Sequence, residues 1–276
     1  MSLIAVDRDI CTRCGACARL MKGYCITQDG GYPVFDKTLC NTCQKCVAIC
    51  PAGAITVNGV HPDRIEAPLP DLDLERLLER RRSTKRFENR PLSRDILERI
   101  VGAARYAPNQ NKNIAILVLD DQELIRLVDR HAISYVRRIR ALLFGCRPLA
   151  ALSCRLSGSL RTIRRKMDLD LEVRRRVVKE GTQALVILTG KRSVPVTEHS
   201  AHYVLATVMY MAQSLGVDSC LMDSLVLALN SGRGFRKTLG LRGSVLGVLA
   251  LGHSAEGVVN IPRGYEVPVR WNVLGP

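Results

Sequence analysis

The sequence predicts an α+β protein in two parts: a small cysteine-rich N-terminal module, then a mixed α/β sandwich that carries a basic helical insertion. Three observations predict it. Eight of the eleven cysteines fall between residues 11 and 50, in two CxxC triads with a further cysteine each, and that spacing belongs to metal ligation rather than to a disulfide scaffold. Downstream, long stretches of helical period alternate with short aliphatic runs. Between those runs, residues 130–180 hold fourteen lysines and arginines against four acids, most of the formal charge of +15.

At 276 residues and 47% hydrophobic content, the chain is long enough for one medium core or two smaller ones, which excludes disorder and collagen. Aromatic residues make up only 4%, with a single Trp, so a stacking face for single-stranded nucleic acid is not expected despite the basic charge. No helix-turn-helix or base-reading module is present either, and no nucleic-acid partner is expected. The N-terminus, MSLIAVDRDICTRC, reaches cysteine before an apolar run develops and so lacks the regions of a signal peptide. The most apolar later stretch, residues 139–160, is broken by Arg140, Arg147, Pro148 and Arg155 and does not suit a membrane span. The expectation is a soluble protein of a reducing cytoplasm.

Residues 1–60 form the cysteine module. Residues 61–71 read as a linker, because VHPDRIEAPLPD (60–71) has three prolines and no helical period. The second domain, 72–276, opens with two amphipathic helices, LDLERLLERRRS (72–83) and LSRDILERIVGAARYA (92–107), the latter with Ser93 as its cap. IAILVLDD (114–121), ALVILTG (184–190) and SVLGVLALG (244–252) read as buried strands. AHYVLATVMYMAQSLG (201–216) is apolar nearly all round and ends at glycine, the mark of a central helix. The insertion, 130–180, reads as a solvated helical hairpin over a pocket, with Leu142, Leu143, Phe144, Leu149 and Leu152 turned inward. Its other reading is a docking face for an acidic redox protein or an anionic membrane surface.

Cys11, Cys14 and Cys17 form CxxCxxC, followed by Cys25; Cys40, Cys43, Cys46 and Cys50 form CxxCxxCxxxC with Pro51 behind. Two-residue spacers let a short loop wrap three thiolates around a cubane. Tetrahedral zinc would use two pairs and leave the middle cysteines of both triads without a role. Over residues 5–58 the sequence resembles the bacterial two-cluster ferredoxins, in which the last cysteine of each motif ligates the other cluster. The resemblance implies two [4Fe-4S] clusters, one held by Cys11, Cys14, Cys17 and Cys50, the other by Cys40, Cys43, Cys46 and Cys25. Two departures stand out: seven residues separate Cys17 from Cys25 instead of three, and no proline follows Cys25.

RRSTKRF (81–87) gathers Arg81, Arg82, Lys85 and the Ser83 hydroxyl at a helix end, a composition suited to a phosphate monoester. It is followed in order by AARYAPNQN (103–111), EGTQALVIL (180–188), AQSLGVDSCLMDS (212–224) and VLGVLALGHSAE (245–256). In that order and spacing the chain, over residues 72–276, resembles the nitroreductase family, and the branch in which a two-cluster ferredoxin module precedes the flavin domain. The resemblance implies FMN at the interface of a homodimer. It implies that Arg81, Arg82 and Ser83 hold the phosphate and ribityl chain, that Lys85 lies near the isoalloxazine ring, and that Arg263 closes on the phosphate. Leu221, Met222, Asp223 and Ser224 match the segment whose backbone approaches the ring, and Asn109 and Asn111 supply polar groups at its edge. Ser224 stands where glycine is common in the family and Gln183 where proline is common.

Other motifs carry less. Cys146, Cys154 and Cys220 read as buried core thiols. Gly232-Arg233-Gly234 reads as a plain loop, without the strand or the third glycine of a dinucleotide site. His199 and His202 read as ordinary polar residues at a helix start rather than proton donors.

The expected function is that of an FMN-dependent oxidoreductase whose two clusters relay single electrons between an external one-electron partner, such as an acidic ferredoxin or flavodoxin-like protein, and the flavin. The flavin would reduce a nitroaromatic, quinone or other conjugated small molecule. The alternative is a non-enzymatic iron–sulfur carrier or adaptor with a flavin-free docking domain.

Overall fold

The computed structural model describes residues 4–21, 24–40, 44–64, 74–108, 114–192 and 195–261. The N-terminal module comprises β1 (Ile4–Val6), α1 (Ala16–Leu20), β2 (Ile26–Asp29), β3 (Tyr32–Phe35), α2 (Lys45–Ala48), β4 (Ile55–Val57) and β5 (Asp63–Arg64). Its two halves repeat one design, in which a one-turn helix begins at a left-handed residue inside each cysteine motif: Gly15 (φ 70°) before α1 and Gln44 (φ 56°) before α2. β1 pairs with β4 and β2 with β3, both antiparallel, and Leu20, Met21, Ile26, Val47 and Ile55 pack among the cysteines.

The second domain runs α3 (Leu74–Arg80), α4 (Arg94–Gly102), β6 (Ala115–Leu119), α5 (Gln122–Phe144), α6 (Arg147–Leu156), α7 (Gly158–Asp168), β7 (Ala184–Gly190), α8 (Pro195–Ser214), β8 (Asp218–Leu221), α9 (Asp223–Ser231), α10 (Arg233–Thr238), β9 (Ser244–Gly252) and β10 (Asn260–Ile261). Four strands form one antiparallel sheet in the order β6-β7-β9-β8. Alternate residues of β7 serve opposite faces: Val186 and Leu188 meet Leu97 and Ile100 of α4 and Val204 and Val208 of α8, whereas Leu185 and Ile187 meet Val128 and Ala132 of α5 and Leu225 and Leu229 of α9. Both faces are covered, which is why these strands are continuous apolar runs rather than alternating ones. Ser93 caps α4 as expected, its hydroxyl accepting from the Ile96 N–H at 3.3 Å.

Several expectations are corrected. β8 was not foreseen, because four residues, DSCL, offer too short a period to register. The helix that enters the insertion starts at Gln122, capped by Asp121, and the insertion stops being helical after a π-turn at Leu169–Val173. Leu142 and Leu143 are 80% and 49% exposed instead of packed inward, while Phe144 is buried; the side chains of Leu149 and Leu152 lie outside the described residues. Cys146 is exposed and Cys154 half-buried; only Cys220 of the three is a buried thiol. Gly232 caps the short helix α10 and is not part of a plain loop.

The modules are joined in several places. β5 pairs with β10, so residues 63 and 64 of the expected linker are strand; residues 65–73 lie outside the described set. The Val259 N–H donates to the Ala48 carbonyl at 2.8 Å, and buried Asn260 donates to the Val47 and Cys50 carbonyls. Lys45, fully buried beside Cys46, donates to the Ser254 hydroxyl at 3.2 Å. No described helix is long and apolar enough to cross a membrane.

Candidate functional site

Cys11, Cys14, Cys17 and Cys50 line one cavity together with Pro33, Pro51 and Ile55. The Ala54 N–H donates to Cys50 Sγ at 3.3 Å. Burial pushes the Cys17 thiol up to about 11, with Cys50, Cys14 and Cys11 adding to the rise against a hydrogen bond with Ala18. Thiolates drawn together, two of them (Cys17 and Cys50) buried, call for compensating positive charge of the kind the iron of a cluster would supply. Among the described residues no three ligating side chains crowd around a single point as they would for a lone ion; these four surround a cavity instead. Cys25 and Cys46 belong to the same buried cluster of side chains and the half-buried Cys40 packs against it, with the Asp36 backbone clasping the loop, its N–H donating to the Cys25 carbonyl and its carbonyl accepting from the Cys40 N–H. Cys43 lies outside the described residues.

In the second domain the segment that follows α3 threads between sheet and insertion. Ser83 bridges Ser219 of β8, Arg86 bridges Glu180, and Phe87 bridges Ser254. Lys85 is thereby pressed into the interior, 7% exposed. It lines a cavity of about 270 Å³ whose walls come from three places. Tyr24 and Cys25 belong to the cysteine module, residues 221–224 to the end of β8 and start of α9, and Lys166, Asp170, Arg174 and Lys179 to the insertion. Arg81, Arg82 and Ser83 sit half-buried alongside β8 and do not line this cavity. Thr84, between Ser83 and Lys85, is fully buried, and its hydroxyl has no partner among the described residues. Asn109, Asn111 and Arg263 lie outside the described residues. His199 and His202 are exposed on α8 and line none of these cavities.

A sequence model of the Nitroreductase family matches residues 78–253. The chain belongs to the nitroreductase family. A 4Fe-4S binding domain model matches residues 33–56 of this nitroreductase, the stretch with Cys40, Cys43, Cys46 and Cys50. Among solved structures it is similar in fold to a nitroreductase with bound FMN from Bacteroides fragilis (17% identity, 75% of this chain and 99% of that one, TM-score 0.52). Another FMN-bound nitroreductase, from Desulfitobacterium hafniense, has 19% identity over 73% of this chain and 97% of that one, with a TM-score of 0.51. No curated protein matches the chain. By family it is a flavin-dependent oxidoreductase.

Sequence reasoning missed the part of this nitroreductase's site that comes from the insertion. Lys179 is half-buried and lines the cavity. Desolvation lowers it to about 8, against a raising influence from Cys220, while Lys85 and Arg174 lower it further. The Arg174 guanidinium lies 3.2 Å from the centre of the Tyr24 ring and bonds Asp170 at 2.8 Å. Desolvation raises the Asp170 carboxyl against that pull. Asp129 of α5 secures the return of the insertion, its Oδ1 accepting from the Val177 and Val178 N–H groups at 2.7 and 2.8 Å. The sequence signal was slight: Lys179 stands two residues before Gly181 and five before the buried strand β7.

Proposed function

We propose that this nitroreductase exchanges single electrons with an external partner through two [4Fe-4S] clusters and delivers them to a conjugated small-molecule acceptor, a nitroaromatic or quinone in the simplest case. When bound, FMN would supply two-electron hydride chemistry and the clusters one-electron exchange. The observation that carries the reading is the shared cavity: Cys25, a ligand of the second cluster in this reading, lines the same space as Lys85 and residues 221–224. Cys11, Cys14 and Cys17 line a separate cavity, so the first cluster is the one assigned to the outside partner.

In this reading Arg81, Arg82 and Ser83 hold the flavin phosphate and ribityl chain. The unpartnered Thr84 hydroxyl supports a polar ligand at this point, because a buried hydroxyl without a partner costs about 1–3 kcal/mol. Lys85 sets positive charge against the ring, and the backbone N–H groups of residues 221–224 orient it. Lys179 holds a proton at Nζ below pH about 8 and faces the same cavity, where an acceptor that takes a hydride also needs a proton. Tyr24 and Arg174 close the space between the cysteine module and the insertion and exclude water there. Arg263, Asn109 and Asn111 complete the flavin site in the same reading. Pairing of two chains is part of it, supported by Tyr203 and Leu227, 53% and 61% exposed on a single chain.

The test is the double variant Arg81→Ala with Ser83→Ala, purified anaerobically. Flavin is lost while iron and sulfide stay at wild-type levels; unchanged flavin content would sink the site assignment.

A further inference from the structure

The cavity beside Lys85 continues into a second of about 430 Å³; the two share Tyr24, Lys85 and Arg174. In the first, Lys85, Lys166, Arg174 and Lys179 face two carboxylates, Asp170 and Asp223. The second adds Arg19, Arg86 and Arg176 against Glu180 alone. Much of this charge is answered internally: Arg174 by Asp170 at 2.8 Å, Arg86 by Glu180 and Glu256 at 3.8 and 3.5 Å, and Arg176 by Glu180 at 3.9 Å. Lys166 and Lys179 are not. Among the described residues no carboxylate lies within ion-pair distance of either. Lys179 is half-buried and Lys166 exposed, both lining the cavity and both contributed by the insertion. The flavin phosphate does not account for them, because Arg81, Arg82 and Ser83 line neither cavity. The ring carries at most one negative charge when reduced, and Lys85 is already beside it.

We propose that Lys179 and Lys166 form an anion-binding subsite, so that the acceptor is a small conjugated molecule bearing an oxyanion, a carboxylate in the simplest case. The inference rests on the flavin reading of the same cavity. Lys166 at the mouth draws the anion in, and Lys179 beneath it supplies a charge-assisted hydrogen bond in a partly desolvated setting, where such bonds are strongest. Arg174 is held by Asp170 and by the Tyr24 ring, and shapes the wall without meeting the ligand's charge. The insertion then selects substrate, in place of covering the pocket as an inert hairpin.

The experiment compares 4-nitrobenzoate with the neutral 4-nitrobenzamide on the full-length, cofactor-loaded protein under anaerobic conditions, as the ratio of their kcat/KM values. Calorimetric binding of unreactive benzoate and benzamide is measured in parallel. The ratio favours the carboxylate by about tenfold or more in the wild type, and falls at least about fivefold in both Lys179→Met and Lys166→Glu; benzoate binds and benzamide does not. Lys166 is exposed, so Lys166→Glu tests the subsite even if Lys179→Met fails to fold. A ratio near one in the wild type, or one unmoved by Lys166→Glu, overturns the proposal. If neither nitro compound is reduced, the electron-transfer reading fails on its own, and the subsite is still decided: benzoate binding lost in Lys166→Glu upholds it, and equal binding of benzoate and benzamide rejects it.

Discussion

Gly181 is where the fold and the site depend on one contact. Its φ is +73°, and a Cβ placed there would stand 2.0 Å from the Phe87 carbonyl oxygen and 2.6 Å from its carbon. Phe87 has little room to retreat: its N–H donates to the Glu180 carbonyl at 2.8 Å, its side chain is 4% exposed, and its ring already abuts Gly252. Gly181→Ala therefore carries about 1–2 kcal/mol for a left-handed L-residue and about 1–3 kcal/mol for forcing backbone apart in a packed interior. A loss of about 2–5 kcal/mol is a large share of the roughly 5–15 kcal/mol that holds a domain folded. The strain also reaches the chemistry, because Lys179 and Lys85 each lie two residues before this contact. The assay is urea denaturation followed by circular dichroism, with bound flavin measured on the same samples. Gly257→Ala, whose added Cβ meets nothing within 4 Å, serves as the control. A Gly181→Ala protein with wild-type midpoint and flavin content would refute the reasoning.

Asp129→Ala strands two buried backbone donors and lowers stability by about 2–4 kcal/mol, while Asp129→Asn, which keeps an acceptor oxygen, restores most of the urea midpoint; equal losses in both would mean that the bonds to Val177 and Val178 do not anchor the insertion. Lys179 has a folded pKa of about 8, below the ordinary lysine value of 10.5, with Lys85, Arg174, Asp170 and Cys220 facing it. Between those two values the unfolded chain binds more protons, so Lys179 makes stability rise with pH across that window. Lys179→Met flattens the rise, and a variant with the wild-type slope would contradict the assignment. Arg165 reaches Asp36 of the cysteine module at 2.5 Å with 56% of its side chain exposed; Arg165→Ala costs about 0–1 kcal/mol, and a larger drop in the melting midpoint would show that this pair holds the modules together.

The three aliphatic strands were legible because each is covered by helices on both sides, which leaves an uninterrupted apolar run. The cysteines were legible because ligation fixes their spacing locally. β8 was not, since its four residues hold one exposed side chain, Leu221, and owe their form to pairing with β9. The insertion misled for a related reason. The buried stripe of α5, Ile125, Val128, Ala132 and Val136, predicts that Leu142 and Leu143 continue inward, but both are exposed near the end of that helix. Lys179 looks like one more member of a solvated charge run. Long-range contacts, among them those from Asp129 to Val177 and Val178 across 48 and 49 residues, turn the chain back so that this lysine shares a cavity with Lys85.

The most direct test of the account is an anaerobic reductive titration of the purified protein with titanium(III) citrate, followed at the flavin and iron–sulfur absorbances. Two one-electron clusters and one two-electron flavin predict uptake of about four electrons per chain, with both absorbances bleaching. Uptake of about two electrons with no flavin band, even after FMN is added, would contradict it and leave an iron–sulfur carrier.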